Sequence, residues 1–127
     1  MPKALYQAAE RTGGRGVVLI SAISARPDVA TDYARTKLAG EAVLRASSLD
    51  WTILRPSLIY GDGSYGGTSL LRGMAGLPLL IPIPGDGAFA FTPLHVRDLA
   101  LTVRLACEGK VSPRQTLEPV GPETLSL

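Results

Sequence analysis

Gly16-Val-Val-Leu-Ile-Ser21 is an unbroken apolar run that ends in a hydroxyl residue. A strand with one wet face alternates polar and apolar positions, whereas a strand covered on both faces, as in a parallel sheet, is apolar throughout. Segments of a different period surround this one. Pro2 to Arg11 reads as a helix, with Pro2 tolerated in its first turn, Gly13-Gly14 ending it, and Ala4, Leu5, Ala8 and Ala9 as its apolar stripe. A second helix spans about Asp32 to Ala46, capped by Thr31 or Asp32. Trp51-Thr-Ile-Leu54 is the next strand, with Trp51 a packing residue at its entry, and Gln115 to Val120 is the last. Strands alternating with helices predict an α/β fold around a parallel sheet.

Composition narrows the function classes. The net charge of +2, with ten Arg and three Lys scattered without a run, gives no footprint for nucleic acid or an anionic membrane. Cys107 is the single cysteine, so no internal disulfide framework exists, and a reducing cytoplasm is the expected setting. No apolar stretch is long enough to span a bilayer. The 127 residues hold one domain with one core, and no metal centre is expected.

The chemistry-bearing feature is Tyr33-Ala-Arg-Thr-Lys37 on the second helix. An i, i+4 spacing sets the phenol and the ammonium on one face, one turn apart. A free phenol has a pKa of about 10, and a neighbouring cation that stabilises the phenolate brings it toward proton transfer at neutral pH. The plainer reading pairs Lys37 with Glu41 as a solvated helix ion pair. At the carboxyl end of the first strand, Ser21 or Ser24 can polarise a substrate oxygen, since open α/β sheets place their ligands at that edge.

The ordered series is more specific than any one motif. An apolar strand ending in Ser21, then Tyr33-x-x-x-Lys37, Gly40-Glu41, Leu49 to Gly61 with Arg55-Pro56-Ser57, and Leu94-His-Val-Arg-Asp-Leu-Ala100 resembles the extended and atypical short-chain dehydrogenase/reductase superfamily. The nucleoside-diphosphate-sugar epimerase-like and complex I accessory-subunit-like branch is the most similar part of it. The resemblance implies a Rossmann-like doubly wound parallel sheet and an NAD or NADP cofactor. It implies Tyr33 as acid/base, Lys37 as its cation and a contact to the nicotinamide ribose, and Ser21 as the polarising hydroxyl. It further implies that Pro56, Ser57 and Ile59 lie against the nicotinamide, and that Pro56 turns the chain outward over the cleft. Ala22 departs from the family's pattern, because a neighbouring slot that often carries the active hydroxyl is this alanine, and the resemblance therefore leaves Ser21 as the first choice and Ser24 as the second.

Several features are set aside. Gly61-Asp-Gly63-Ser-Tyr-Gly66 is a literal G-x-G-x-x-G with Asp86 downstream, but it starts seven residues past the expected strand end, and Pro82 and Pro84 are incompatible with a central strand before Asp86. It reads instead as a loop over the substrate, with Thr68 to Met74 as a short helix behind it. His95 is assigned to a strand-to-helix junction whose helix Asp98 caps, Cys107 to the core beside Val103 and Ala106, and Arg55 either to the cleft or to a nearby carboxylate or carbonyl.

The resemblance covers about Gly16 to Ser126 and leaves the N-terminal Gly-rich βαβ half and the last helices of the family without a counterpart. Residues 1–61 then form the second half of a Rossmann-like core, 62–96 a substrate-lobe-like segment, and 97–127 a terminal helix and strand, with Gly121 to Leu127 opening a helix. Three functions follow: an NAD(P)-dependent sugar epimerase, dehydratase or reductase fragment, inactive alone; a non-catalytic dinucleotide-binding assembly protein; or a truncated remnant that self-associates. A small-molecule, possibly nucleotide-linked substrate and a homo-oligomer are the expected partners.

Overall fold

Two parallel strands set the frame: β1 (Gly16–Ile20) lies beside β2 (Asp50–Leu54), with Gly16 opposite Asp50 and Ile20 opposite Leu54. The computed structural model describes residues 2–14, 16–63, 69, 72–73, 75–76, 78 and 90–126. Two short strands follow, β3 (Ile59–Tyr60) and β4 (Ala90–Phe91). Next come β5 (Leu94–His95), β6 (Gln115–Leu117) and β7 (Leu125–Ser126). The helices are α1 (Pro2–Arg11), α2 (Asp32–Arg45) and α3 (Val96–Cys107). The main sheet is parallel with order β1-β2-β6, β3 pairs in parallel with β5, and β4 runs antiparallel to β7.

Strand alternation sends side chains to two separate clusters on opposite faces of the sheet, not to the single core expected from the length. Val17, Leu19, Trp51 and Ile53 face Tyr6, Ala9, Val43, Leu44 and Leu49 from α1, α2 and the turn after α2. Val18, Leu54 and Leu117 face Leu99 and Val103 of α3, with Ile59 and Leu94. Helices on both faces of a parallel sheet are the doubly wound arrangement, and the α/β class and the partial Rossmann-like sheet are both present. Full burial of Leu44 and Ile53 contributes about 1.5–3 kcal/mol each.

The helix ends follow local chemistry. Thr31 Oγ1 accepts from Ala34 N–H at 3.1 Å and caps α2. After α1, Gly13 has φ of +78°, with Gly13 N–H donating to Glu10 O at 3.4 Å and Gly14 N–H to Ala9 O at 2.8 Å. That pair of bonds is a Schellman stop, and its left-handed residue is best made by glycine.

The structure corrects several expectations. Among the described residues β1 lies at the edge of the three-stranded sheet, with its middle residues half-buried and Ile20 42% exposed; the buried strand is the central β2, from Trp51 to Leu54. On α1 the inward face carries Tyr6 and Ala9 while Leu5 is exposed, because a phenol ring reaches the Trp51 cluster and a stripe of small residues does not. Cys107 is exposed, since it ends α3 past the turn on which Leu99 and Val103 reach the sheet. Asp98 sits in the first turn of α3, whereas the cap is His95, whose Nδ1 accepts from Arg97 N–H at 3.0 Å. The last strand stops at Leu117, and the segment expected to open a helix instead forms β7. β3 also runs directly up to Gly61, so the distance argument against its glycine pattern fails. Pro82, Pro84 and Asp86, and most of the helix expected over Thr68 to Met74, lie outside the described residues.

Candidate functional site

The hydrogen-bond ladder continues past the strand ends and brings three loops together at the carboxyl edge. Ser21 N–H donates to Leu54 O at 2.7 Å, Arg55 N–H to Leu117 O at 2.8 Å, and Ser57 N–H to Pro119 O at 3.3 Å. Pro56, which has no N–H, falls between two of those bonds, so the ladder skips it and resumes. Its carbonyl accepts from Ile23 N–H at 3.1 Å, tying the loop after β1 to the loop after β2. Leu94 N–H donates to Leu58 O at 2.8 Å and adds the start of α3 to the same edge.

These loops surround a cleft of about 540 Å³ lined by Ser21, Tyr33, Pro56, Ser57, Ile59 and Tyr60, among others. The remaining wall includes Ala22, Gly61, Gly63 and Val96. Five of the residues singled out in the sequence therefore meet in one space. Lys37 stands behind Tyr33: its Nζ lies 5.5 Å from the centre of the Tyr33 ring and donates to Ile20 O at a long 3.5 Å. Ser24, the second-choice hydroxyl, is half-buried and is not among the lining residues.

The hydroxyls differ in how they are used. Ser21 is 5% exposed, and its Oγ has no hydrogen-bond partner among the described residues. Ser57 Oγ donates to Thr92 O, so its hydroxyl is already engaged. The Tyr33 side chain is exposed to the cleft mouth, whereas Pro56 is buried beneath it.

Below the cleft lies a charge network. Arg55 grips the wholly buried Glu41 with a fork, Nε to Oε1 at 2.9 Å and Nη2 to Oε2 at 2.6 Å. Arg45 Nη2 is 3.2 Å from the same Oε2. On the other side, Arg55 Nη1 is 3.9 Å from Glu118, which Arg26 holds at 2.6 Å. Burial alone would push the Glu41 carboxyl upward. The Arg55 hydrogen bonds, the nearby Ser21 hydroxyl and the charges of Arg55 and Arg45 outweigh it, so the pKa falls below its ordinary value. Arg55 is raised in turn, first by its bonds to Glu41 and against its own burial.

The sequence left Arg55 open between the cleft and a carboxylate, and the carboxylate is where it goes. Glu41 pairs with Arg55 and Arg45, not with Lys37. Glu41 follows Lys37 by one turn and Tyr33 by two, on the face turned to the sheet end, which is the signal that would have located it. Tyr60, edge-on to His95 with ring centres 5.0 Å apart, and Val96 were not anticipated in the wall. Their only sequence mark is adjacency to Gly61 and His95.

A family model described as NAD(P)H-binding matches residues 2–74. A ceramide reductase from Caulobacter vibrioides is 32% identical over 103 residues, covering 81% of this chain and 32% of the relative. UDP-glucuronic acid 4-epimerase from Bacillus cereus, solved in complex with NAD, superposes with a TM-score of 0.84 at 20% identity, over 98% of this chain and 47% of the other. A dTDP-glucose 4,6-dehydratase double mutant from Streptomyces venezuelae, with NAD bound, gives 0.77 at 22% identity, over 98% and 44%. The chain thus spans about a third of that curated relative and under half of those solved structures.

Proposed function

We infer the function from the family to which the chain belongs, that of NAD(P)H-binding proteins, and from the cleft at the carboxyl ends of β1 and β2. The reading is an oxidoreductase or epimerase site that acts on a small, nucleotide-linked sugar or similar alcohol. The observation that carries it is the convergence of Tyr33 and Ser21 on one cleft, with Lys37 a turn behind Tyr33.

The residues present fit the nicotinamide end of the cofactor. Pro56, Ser57 and Ile59 line the wall, and Lys37 beside Tyr33 offers a cation for ribose hydroxyls. When bound, the nicotinamide supplies hydride acceptance or donation. The chain's own part is proton handling. Tyr33 Oη gives a proton to, or takes one from, the reacting oxygen, and Lys37 steadies the charge left on the phenolate. Ser21 Oγ, already desolvated and without a protein acceptor, donates to the same oxygen as charge builds there. Pre-set donors cost no rearrangement at the moment of reaction, which makes a buried, unengaged hydroxyl suitable.

The remaining parts of the reading are a cytoplasmic setting, the three-part division at residues 61 and 96, and self-association through exposed apolar side chains such as Leu5, at 67%. Among the described residues no helix is long and apolar enough to cross a membrane. A strictly monomeric sample by light scattering removes the self-association.

Calorimetric titration with NADH and NADPH tests the site. Micromolar binding that Lys37→Ala weakens by about tenfold or more supports it. No binding, or binding indifferent to Lys37→Ala, overturns it.

A further inference from the structure

Three of the large apolar side chains that the fold leaves exposed, Tyr33, Tyr60 and Val96, line the same cleft. Tyr60 and Val96 are 46% and 44% exposed, and the pairing of β3 with β5 makes them neighbours. Tyr60 is opposite His95, and the next residue on each side brings Gly61 against Val96. Both side chains are held in place. The Tyr60 ring rests edge-on against His95, which is itself fixed by accepting from Arg97 N–H. Ala22 and Leu58, each half-buried, extend the wall. A contiguous apolar surface that is fixed yet left open, beside the hydroxyls of Ser21 and Tyr33, is suited to covering by a ligand.

Charge narrows what that ligand is. Among the described residues that line the cleft none is Lys, Arg, Asp or Glu. The residue between the lining Gly61 and Gly63 is an exposed acid, Asp62. A diphosphate against this wall would face that carboxylate with no cation beside it. An alkyl chain meets no such penalty and gains by covering Tyr60 and Val96.

We propose that Tyr60 and Val96 determine specificity, and that the ligand is a ketone or secondary alcohol whose oxygen-bearing carbon carries an alkyl chain laid along this wall. The proposal rests on the cleft reading above and narrows its substrate from a nucleotide-linked sugar to a hydrophobic alcohol. With the oxygen at Tyr33 and Ser21 and the nicotinamide against Pro56 and Ile59, the Tyr60–Val96 side is left for the rest of the molecule.

The test is an NMR titration of the full chain with straight-chain 2-alkanones of increasing length, butanone to octanone, and with UDP-glucose. Affinity is expected to rise about three- to fourfold per added CH₂, the gain from burying one methylene, with shifts centred on Tyr60, Gly61 and Val96. That gain should shrink in Tyr60→Ser and in Val96→Thr, and UDP-glucose should bind more weakly than the octanone. An affinity indifferent to chain length, a gain unchanged in these variants, or tighter binding of UDP-glucose overturns the proposal. Should Tyr60→Ser fail to fold, Val96→Thr decides alone, because it keeps the shape of the side chain and adds only a hydroxyl. NADH titration of the same proteins reports separately on the cofactor reading. NADH binding with a flat alkanone series keeps that reading and sinks the proposal, whereas a length series that depends on Tyr60 and Val96, without NADH binding, does the reverse.

Discussion

Arg55 and Glu41 form a two-point ion pair, at 2.9 and 2.6 Å, that joins the end of β2 to the middle of α2 below the cleft. Removing one partner of a buried pair strands the other charge, at a cost of about 3–5 kcal/mol. Arg55→Ala is therefore expected to lower the urea midpoint sharply, reduced somewhat by the remaining Arg45 contact. Replacing both residues, as Glu41→Gln with Arg55→Gln, is expected to cost far less than either Arg55→Ala or Glu41→Ala alone. A loss in the double variant equal to the sum of the two single losses would show the pair to be uncoupled.

Acid should weaken the fold through the same carboxylate. The Glu41 pKa is lowered in the folded chain from an ordinary 4.5, so its contribution is complete above that value and disappears as pH falls through the folded pKa. Glu10, lowered by the backbone and side-chain bonds from Ser48, acts in the same direction. Thermal melts between about pH 7 and pH 3 are expected to fall below pH 4.5 in the parent. They should fall less in Glu41→Gln, which keeps only the Glu10 part. A parallel fall in both proteins would place the acid sensitivity elsewhere.

The arrangement of helices and strands was legible because it is local. Period, glycine stops and the Thr31 cap fixed α1, β1, α2 and β2 to within a residue or so, and the helix face carrying Tyr33 and Lys37 followed from spacing alone. What escaped depends on contacts distant in sequence. Nothing near Leu5 and Tyr6 says which of them meets Trp51, and Cys107 is apolar in context yet ends its helix in solvent. β1 reads as fully buried because its composition suits a covered strand, whereas its exposure is set by its place at the sheet edge. The cleft wall escaped for a similar reason: Val96 reaches it only because β5 pairs with β3.

Gly61 is required by that pairing. A Cβ built there would lie 2.5 Å from Val96 Cγ1, closer than real carbons approach. Gly61→Ala is expected to cost about 1–3 kcal/mol by overpacking. Val96→Ala added to it should recover most of the loss, since the clashing methyl is gone. A single variant as stable as the parent would show that the Tyr60 turn yields freely.

Tyr33 and Lys37 should separate in their effects. The Tyr33 side chain is 57% exposed, so Tyr33→Phe is expected to change stability by no more than about 0.5 kcal/mol. It removes the oxygen proposed to carry the proton while leaving the ring, so NADH affinity is expected to stay within a few-fold. Lys37→Ala removes the cation and is expected to weaken NADH by about tenfold or more, the scale of one charge-assisted hydrogen bond. Equal loss in both variants would mean that the phenol itself binds the cofactor.

His95 invites a catalytic role by its rarity, and its geometry assigns it another. Its Nδ1 caps α3 through Arg97 N–H, and its ring meets Tyr60 edge-on in the cleft wall. A cap needs an acceptor one or two bonds from the backbone, which asparagine and aspartate supply as well as histidine does. His95→Ala is accordingly expected to cost about 0.5–2 kcal/mol, and His95→Asn to restore much of it. NADH affinity should follow stability in this series, with His95→Asn close to the parent. If His95→Asn were as stable as the parent but lost NADH binding, the imidazole would be contacting the ligand, and its capping bond would be incidental to that contact.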